Sequence, residues 1–127
     1  MTQQLSKNLK RSEVACRCGC GFDNLTQQTI DTFQTIRDFI GRPIAIISGC
    51  RCARHNSTVG GAASSAHITG QALDLSISGM TSRQFGDEIK RCHAAGLIPN
   101  LRYCYLIGAN TVHIGTDDRQ RSGIWGW

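Results

Sequence analysis

The order of patterns along this sequence predicts an α+β fold, a small antiparallel sheet with helices packed on one of its faces. Two segments carry apolar residues at helical spacing, four others read as short strands, and 14 glycines in 127 residues are more than a helical bundle usually holds. A chain of this length suits one core that buries roughly two-thirds of the unfolded surface, so a single domain over residues 1–127 is expected.

The first helix spans 25–40, where Ile30, Phe33, Ile36 and Ile40 recur on one face, Asn24 stands as a cap and Gly41 as the stop. Pro43 to Ile47 is a short apolar run that suits a buried strand ending at Ser48-Gly49. Residues 50–65 are rich in Gly, Ser, Cys and Arg without a sustained period, and read as a functional loop with room for one helical turn. Gln71 to Ile77 alternates, with Leu73, Leu75 and Ile77 on one face and Ala72, Asp74 and Ser76 on the other. Thr81-Ser-Arg-Gln84 forms a capping-box pattern that opens a helix through about residue 95, ended by Gly96. Leu101 to Ile107 and Thr111 to Gly115 flank Gly108-Ala-Asn110 and read as a hairpin.

The formal charge is +5, and the basic residues are scattered with no aromatic ladder interleaved. This favours a solvated basic surface, suited to anionic wall polymers, over a nucleic-acid site. No apolar run reaches the roughly 18 residues of a membrane helix, which argues against membrane insertion. The first eleven residues lack the apolar centre of a signal peptide, so synthesis in the cytoplasm without secretory export is expected.

Seven cysteines, an odd number, argue against a complete disulfide framework. Cys16, Cys18, Cys20, Cys50 and Cys52 fall in two tight groups, open to a second metal site, a bridge between the groups, or thiols packed in the core. Cys92 and Cys104 read as small core residues, and His93 as surface. Trp125 and Trp127 read as a cap on the core rather than a sugar platform.

The chemistry concentrates in Ser65-x-His67-x-x-Gly70-x-Ala72-x-Asp74, followed 39 residues after Asp74 by His113. Strand parity sets Asp74 opposite Leu73 and Leu75, and His113 opposite Val112 and Ile114, so both project from the open face if the aliphatic faces meet the helices. Two imidazoles and a carboxylate suit catalytic zinc, which keeps a position open for water.

This string resembles the metal motif of the zinc D-Ala-D-Ala carboxypeptidase and L-alanyl-D-glutamate endopeptidase family, which includes phage endolysins. Ser48-Gly-Cys-Arg51-Cys52, Arg54-His-Asn56, Gly60-Gly61, the Cys16-Arg-Cys-Gly-Cys-Gly21 opening and His113 follow the family's order, over about residues 6–116. The resemblance implies the hedgehog/DD-peptidase fold with a zinc site on the open face of the sheet. It implies His67, Asp74 and His113 as zinc ligands, Arg51 steadying the substrate carbonyl or carboxylate, and Ser65 hydrogen-bonding substrate.

The chain departs from the family at the general base. Many relatives carry an acid three residues before the last histidine ligand, where this chain has Asn110, an amide that can orient water but cannot take its proton. Others carry Asp two residues after that histidine, where this chain has Gly115. Asp117 and Asp118 are the nearest acids and the candidates for that task, while Asn110 and His55 are candidate substrate groups.

The resulting expectation is a monomeric zinc metallopeptidase acting on peptidoglycan stem peptides, at the bacterial wall or periplasm, as a phage lysis or virion-borne enzyme. Two alternatives stand beside it: a non-catalytic wall-binding module on the same fold, and a zinc-stabilised nucleic-acid binder built around the cysteines.

Overall fold

The computed structural model describes residues 3–62, 65–118 and 123–127. Its longest helix, α2 (Gln27–Ile40), forms where the apolar period predicts it and buries Ile30, Phe33 and Ile36. The N-cap is Thr26, whose Oγ1 accepts from the Thr29 N–H at 3.4 Å, and not Asn24. Asn24 is drawn away from the helix by donating to the Ile68 carbonyl at 2.9 Å, which ties this corner to the loop that carries His67. Gly41 ends α2 at φ 73°, a left-handed conformation that favours glycine.

An N-terminal hairpin, β1 (Gln4–Ser6) with β2 (Leu9–Lys10), leads into the short α1 (Arg11–Val14). This unit is too short and polar to show a period, yet Leu9 and Val14 are fully buried in the core. The Gln34 side chain on α2 holds it, accepting from Ser6 Oγ at 2.7 Å and the Asn8 N–H at 2.9 Å.

The main sheet contains β3 (Ala45–Ser48), β4 (Ala72–Ser76), β6 (Thr111–Gly115) and β5 (Tyr103–Ile107), in the order β3-β4-β6-β5 and antiparallel throughout. The helix in the 50–65 loop is α3 (Ala53–Thr58). The second long helix, α4 (Ser82–Ala94), carries the expected capping box: Gln84 N–H donates to Thr81 Oγ1 at 3.1 Å, and Thr81 N–H to Gln84 Oε1 at 2.9 Å. Phe85, Ile89 and Cys92 of α4 join Phe33 and Ile36 of α2 against Leu73, Leu75, Val112 and Ile114 of the sheet. The aliphatic face of β4 and β6 is thus in the core, and the alternate positions face the other way.

A bulge between Ile46 and Ser48 sets Ser48 opposite Asp74, leaving Ile47 outside the register and exposed. At the other edge, Cys104 exchanges backbone hydrogen bonds of 2.8 Å with Ile124 and Gly126, so the C-terminal segment covers the β5 edge. Trp125 and Trp127 pack on the core, and the Trp127 indole donates to Asp87 at 3.3 Å. Cys92 and Cys104 are buried as expected, and burial pushes the Cys104 thiol up to about 12.

Leu75 is fully buried at the centre of the sheet, so Leu75→Ala is expected to lower the unfolding free energy in urea titrations by about 2–5 kcal/mol. Ile47→Ala, at the exposed bulge, is expected to change it by less than ~0.5 kcal/mol.

Candidate active site

Asp74 and His113 are direct cross-strand partners on β4 and β6, and His113 Nδ1 lies 2.7 Å from Asp74 Oδ1. His67 reaches the same oxygen from the preceding loop, with Nε2 at 3.3 Å. Gly70 makes that approach possible: at φ 71° its Cα passes so close to the Asn24 backbone that a side chain has no room. All three side chains are at most a tenth exposed, and their donor atoms lie within 4.8 Å of one another.

His67 Nδ1 is 2.7 Å from the Gly49 carbonyl. A carbonyl only accepts, so Nδ1 carries the proton, and in the neutral ring the Nε2 lone pair faces Asp74 Oδ1. Nitrogen and oxygen lone pairs 3.3 Å apart repel unless a proton or a cation lies between them, so the trio is built around a positive charge. Burial pushes the Asp74 carboxyl up. The hydrogen bond from His113 and, when its Nε2 is also protonated, that from His67, with the charge of the protonated rings, outweigh it and hold the group well below the usual carboxylate range.

The trio opens into a cleft of about 370 Å³ lined by Arg51, Gly61, Ser65, Tyr103, Tyr105 and the two histidines, among others. Arg51 is fixed on several sides. It donates to Ser48 Oγ at 3.0 and 3.2 Å and to Asn56 Oδ1 at 3.2 Å, and Nη2 stands 3.8 Å from Asp74 Oδ2. The β3 bulge matters here, because it turns Ser48 toward Asp74. Ser65 Oγ accepts from the His67 N–H at 3.3 Å and lines the cleft beside it.

Two residues outside the sequence-based candidates complete the wall. Tyr105 pairs with His113 across β5 and β6, its ring stacked at 4.3 Å, and Tyr103 lies 5.6 Å from the same imidazole. The alternation Tyr103-Cys-Tyr105-Leu-Ile107, opposite the buried Cys104, is the signal that could have found them. The Tyr103 ring covers Gly115, where any side chain would collide with it.

A sequence model of the family described as Peptidase M15 matches residues 7–114, most of the chain. The chain belongs to the peptidase M15 family. No curated protein matches it. M15 peptidases are zinc-dependent metallopeptidases, and the candidate His67/Asp74/His113 set has the donor chemistry such an ion takes. The antiparallel α+β architecture is consistent with an M15 domain. Among the described residues no helix is long and apolar enough to cross a membrane.

The other sequence candidates do not line the cleft. Asn110 is exposed in the β5–β6 turn and does not line the cleft, because the strand carries it beyond the rim. Asp118 is nearly fully exposed, lines a separate hollow and stands 3.6 Å from Arg102, so it does not reach back over the trio. Asp117 accepts from the hydroxyl of the cleft-lining Tyr103 at 2.5 Å. His55 sits on α3 in a hollow with Cys18 and Cys20, on the cysteine side and not in the cleft.

Cys50 parts from the other four early cysteines. It is buried, its N–H donates to the Val14 carbonyl at 2.7 Å, and burial pushes its thiol up to about 11. Cys16, Cys18, Cys20 and Cys52 come together instead. Burial pushes the Cys16 thiol up, but the backbone N–H groups of Cys18 and Cys52 and the neighbouring thiols outweigh it and bring it down to about 7.

Because Asp74 titrates below its unfolded range, its carboxylate stabilises the metal-free fold above about pH 4, and this is lost as the pH falls further. Metal-free Asp74→Asn is therefore expected to be less stable than wild type at pH 7, with the gap narrowing toward pH 3 in thermal melts.

Proposed function

We propose that residues 1–127 act as one zinc peptidase domain that hydrolyses a peptide bond in peptidoglycan stem peptides. The observation that carries this reading is the buried His67/Asp74/His113 trio at the floor of an open cleft, with the Arg51 guanidinium fixed beside it. The bond is the terminal D-Ala-D-Ala or the internal L-Ala-D-Glu linkage, and the mass of the released fragment assigns it. The net charge of +5 suits an anionic wall, where a phage-type lysis or virion-borne enzyme works.

His67 Nε2, Asp74 and His113 hold the zinc, which when bound polarises the scissile carbonyl and eases deprotonation of the attacking water. Arg51 presents fixed donors to the carbonyl oxygen as negative charge builds on it. Ser65 hydrogen-bonds the peptide at the cleft wall, and the Tyr105 ring keeps His113 in place from its open side. The water's proton passes to the Tyr103 hydroxyl as that hydroxyl gives its own proton to Asp117 outside the cleft. Asp117 is favoured over Asp118 by its bond to Tyr103, a side chain of the cleft itself.

A second reading is a wall-binding module without turnover. It is favoured by one observation: among the described cleft residues Asp74 is the only carboxylate. Muropeptide release from purified sacculi separates the two.

Release is expected from wild type and expected to vanish on chelation or in His113→Ala. Arg51→Lys, which loses the guanidinium fork, is expected to lower kcat by about 10²–10³. Asp117→Asn is expected to lower it by roughly 10²–10⁴ with zinc content unchanged. Saturable binding to sacculi with no fragment released would instead establish the binding module.

A further inference from the structure

Four thiols outside the cleft converge on one point. Cys16 Sγ lies 3.4 Å from Cys18 Sγ and 3.8 Å from Cys52 Sγ, Cys18 and Cys52 are 3.7 Å apart, and Cys20 completes the group with every sulfur within 4.8 Å of the others. We propose that Cys16, Cys18, Cys20 and Cys52 form a second, structural metal site for zinc or another thiophilic divalent ion, independent of the His67/Asp74/His113 set.

The distances carry this assignment. A tetrahedral ion with zinc–sulfur bonds of about 2.3 Å sets its sulfurs about 3.8 Å apart, the spacing found here for three of the pairs within a few tenths of an ångström. A disulfide would join two sulfurs and give the other two no reason to gather at the same point. Sulfurs also receive the backbone donors that thiolate ligands take: Cys52 N–H points to Cys16 Sγ at 3.5 Å and His55 N–H to Cys52 Sγ at 3.4 Å. Four thiolates around a divalent ion leave a net negative charge, which Arg54, in the same hollow as Cys18 and Cys20, offsets.

Local sequence explains the geometry. Gly19 and Gly21, at φ 84° and 82°, curl this segment so that the sulfurs of three cysteines spaced two apart approach one another. Cys52, at the N-cap of α3, supplies the fourth sulfur from a segment 32 residues beyond Cys20. Binding releases the thiol protons and fastens the N-terminal arm to the loop that contains Arg51. That loop also carries the Gly49 carbonyl that orients His67, so the second ion positions the cleft without touching substrate.

The test measures zinc per chain, by mass spectrometry of protein purified under reducing conditions, in wild type, His113→Ala and the Cys18→Ser/Cys20→Ser double variant. Two ions are expected in wild type and one in each variant. Cobalt substitution is expected to give thiolate-to-metal charge-transfer absorption in wild type and His113→Ala and none in the cysteine variant. Should the cysteine variant fail to fold, the His113→Ala arm decides alone by keeping one ion and the absorption. A His113→Ala protein with neither, or a disulfide among the four cysteines in non-reducing peptide mapping, would overturn the site. Loss of the cleft ion alone from His113→Ala, with the thiolate-bound ion kept, leaves this site untouched, so its fate is separable from that of the proposed peptidase.

Discussion

Asp74 and His113 meet across the β4–β6 pair, and the position of every other cleft residue depends on that register. A slip of one residue would turn both side chains into the core and bring Leu73, Leu75, Val112 and Ile114 out to water, so the aliphatic face of the two strands protects the register of the polar face. The site is thus specified by the same burial that makes the fold. Sheet order adds to it, since β5 pairs with β6 on the far side and delivers Tyr105 onto His113.

What the sheet cannot supply, the loops bring in on short tethers. The segment after β3 sends the Gly49 carbonyl to His67, and the Arg51 N–H donates to the His67 carbonyl at 3.0 Å, so the arginine and the histidine are locked to each other by backbone. Cys50 N–H bonds to Val14 at 2.7 Å, and a Cβ at Gly49 would sit 2.6 Å from the Val14 carbonyl oxygen, so this strand of loop lies flush on the N-terminal arm. The four thiols lie just beyond this contact, where the arm and the loop meet a second time. Arg51 and His67 are therefore braced from outside the cleft as well, where the loop rests on the arm at the core residue Val14.

Much of the fold was legible because its signals are periodic. The spacing of Ile30, Phe33 and Ile36, the capping box at Thr81 and Gln84 and the alternation around Asp74 each express local physics that the tertiary structure leaves in place. The N-terminal hairpin was not legible, since five strand residues give no period and their pairing depends on Gln34 from a distant helix. Asn24 misled for a related reason: a good cap by type, it is engaged by the Ile68 carbonyl. At the site, parity set Asp74 and His113 together, whereas Tyr103 and Tyr105 passed as strand filler and Asn110 and Asp118 were candidates by spacing alone. Spacing says nothing of where a turn points, and the turn carries Asn110 past the rim while Asp118 lines a separate hollow with Arg102.

The floor of the cleft holds an aspartate, two histidines and an arginine whose side chains are largely buried, an arrangement that costs stability unless the charges are matched. Among these groups only Asp74 is negative, and one oxygen of its carboxylate serves both imidazoles. A cation at the point between the imidazole nitrogens and this oxygen is what the proposed peptidase requires. Anomalous diffraction at the zinc absorption edge, from crystals of the zinc-loaded protein, tests this directly. A peak bounded by His67 Nε2, Asp74 Oδ1 and His113 Nδ1 is expected; a zinc-loaded crystal with no density at that point would contradict a metal-holding trio.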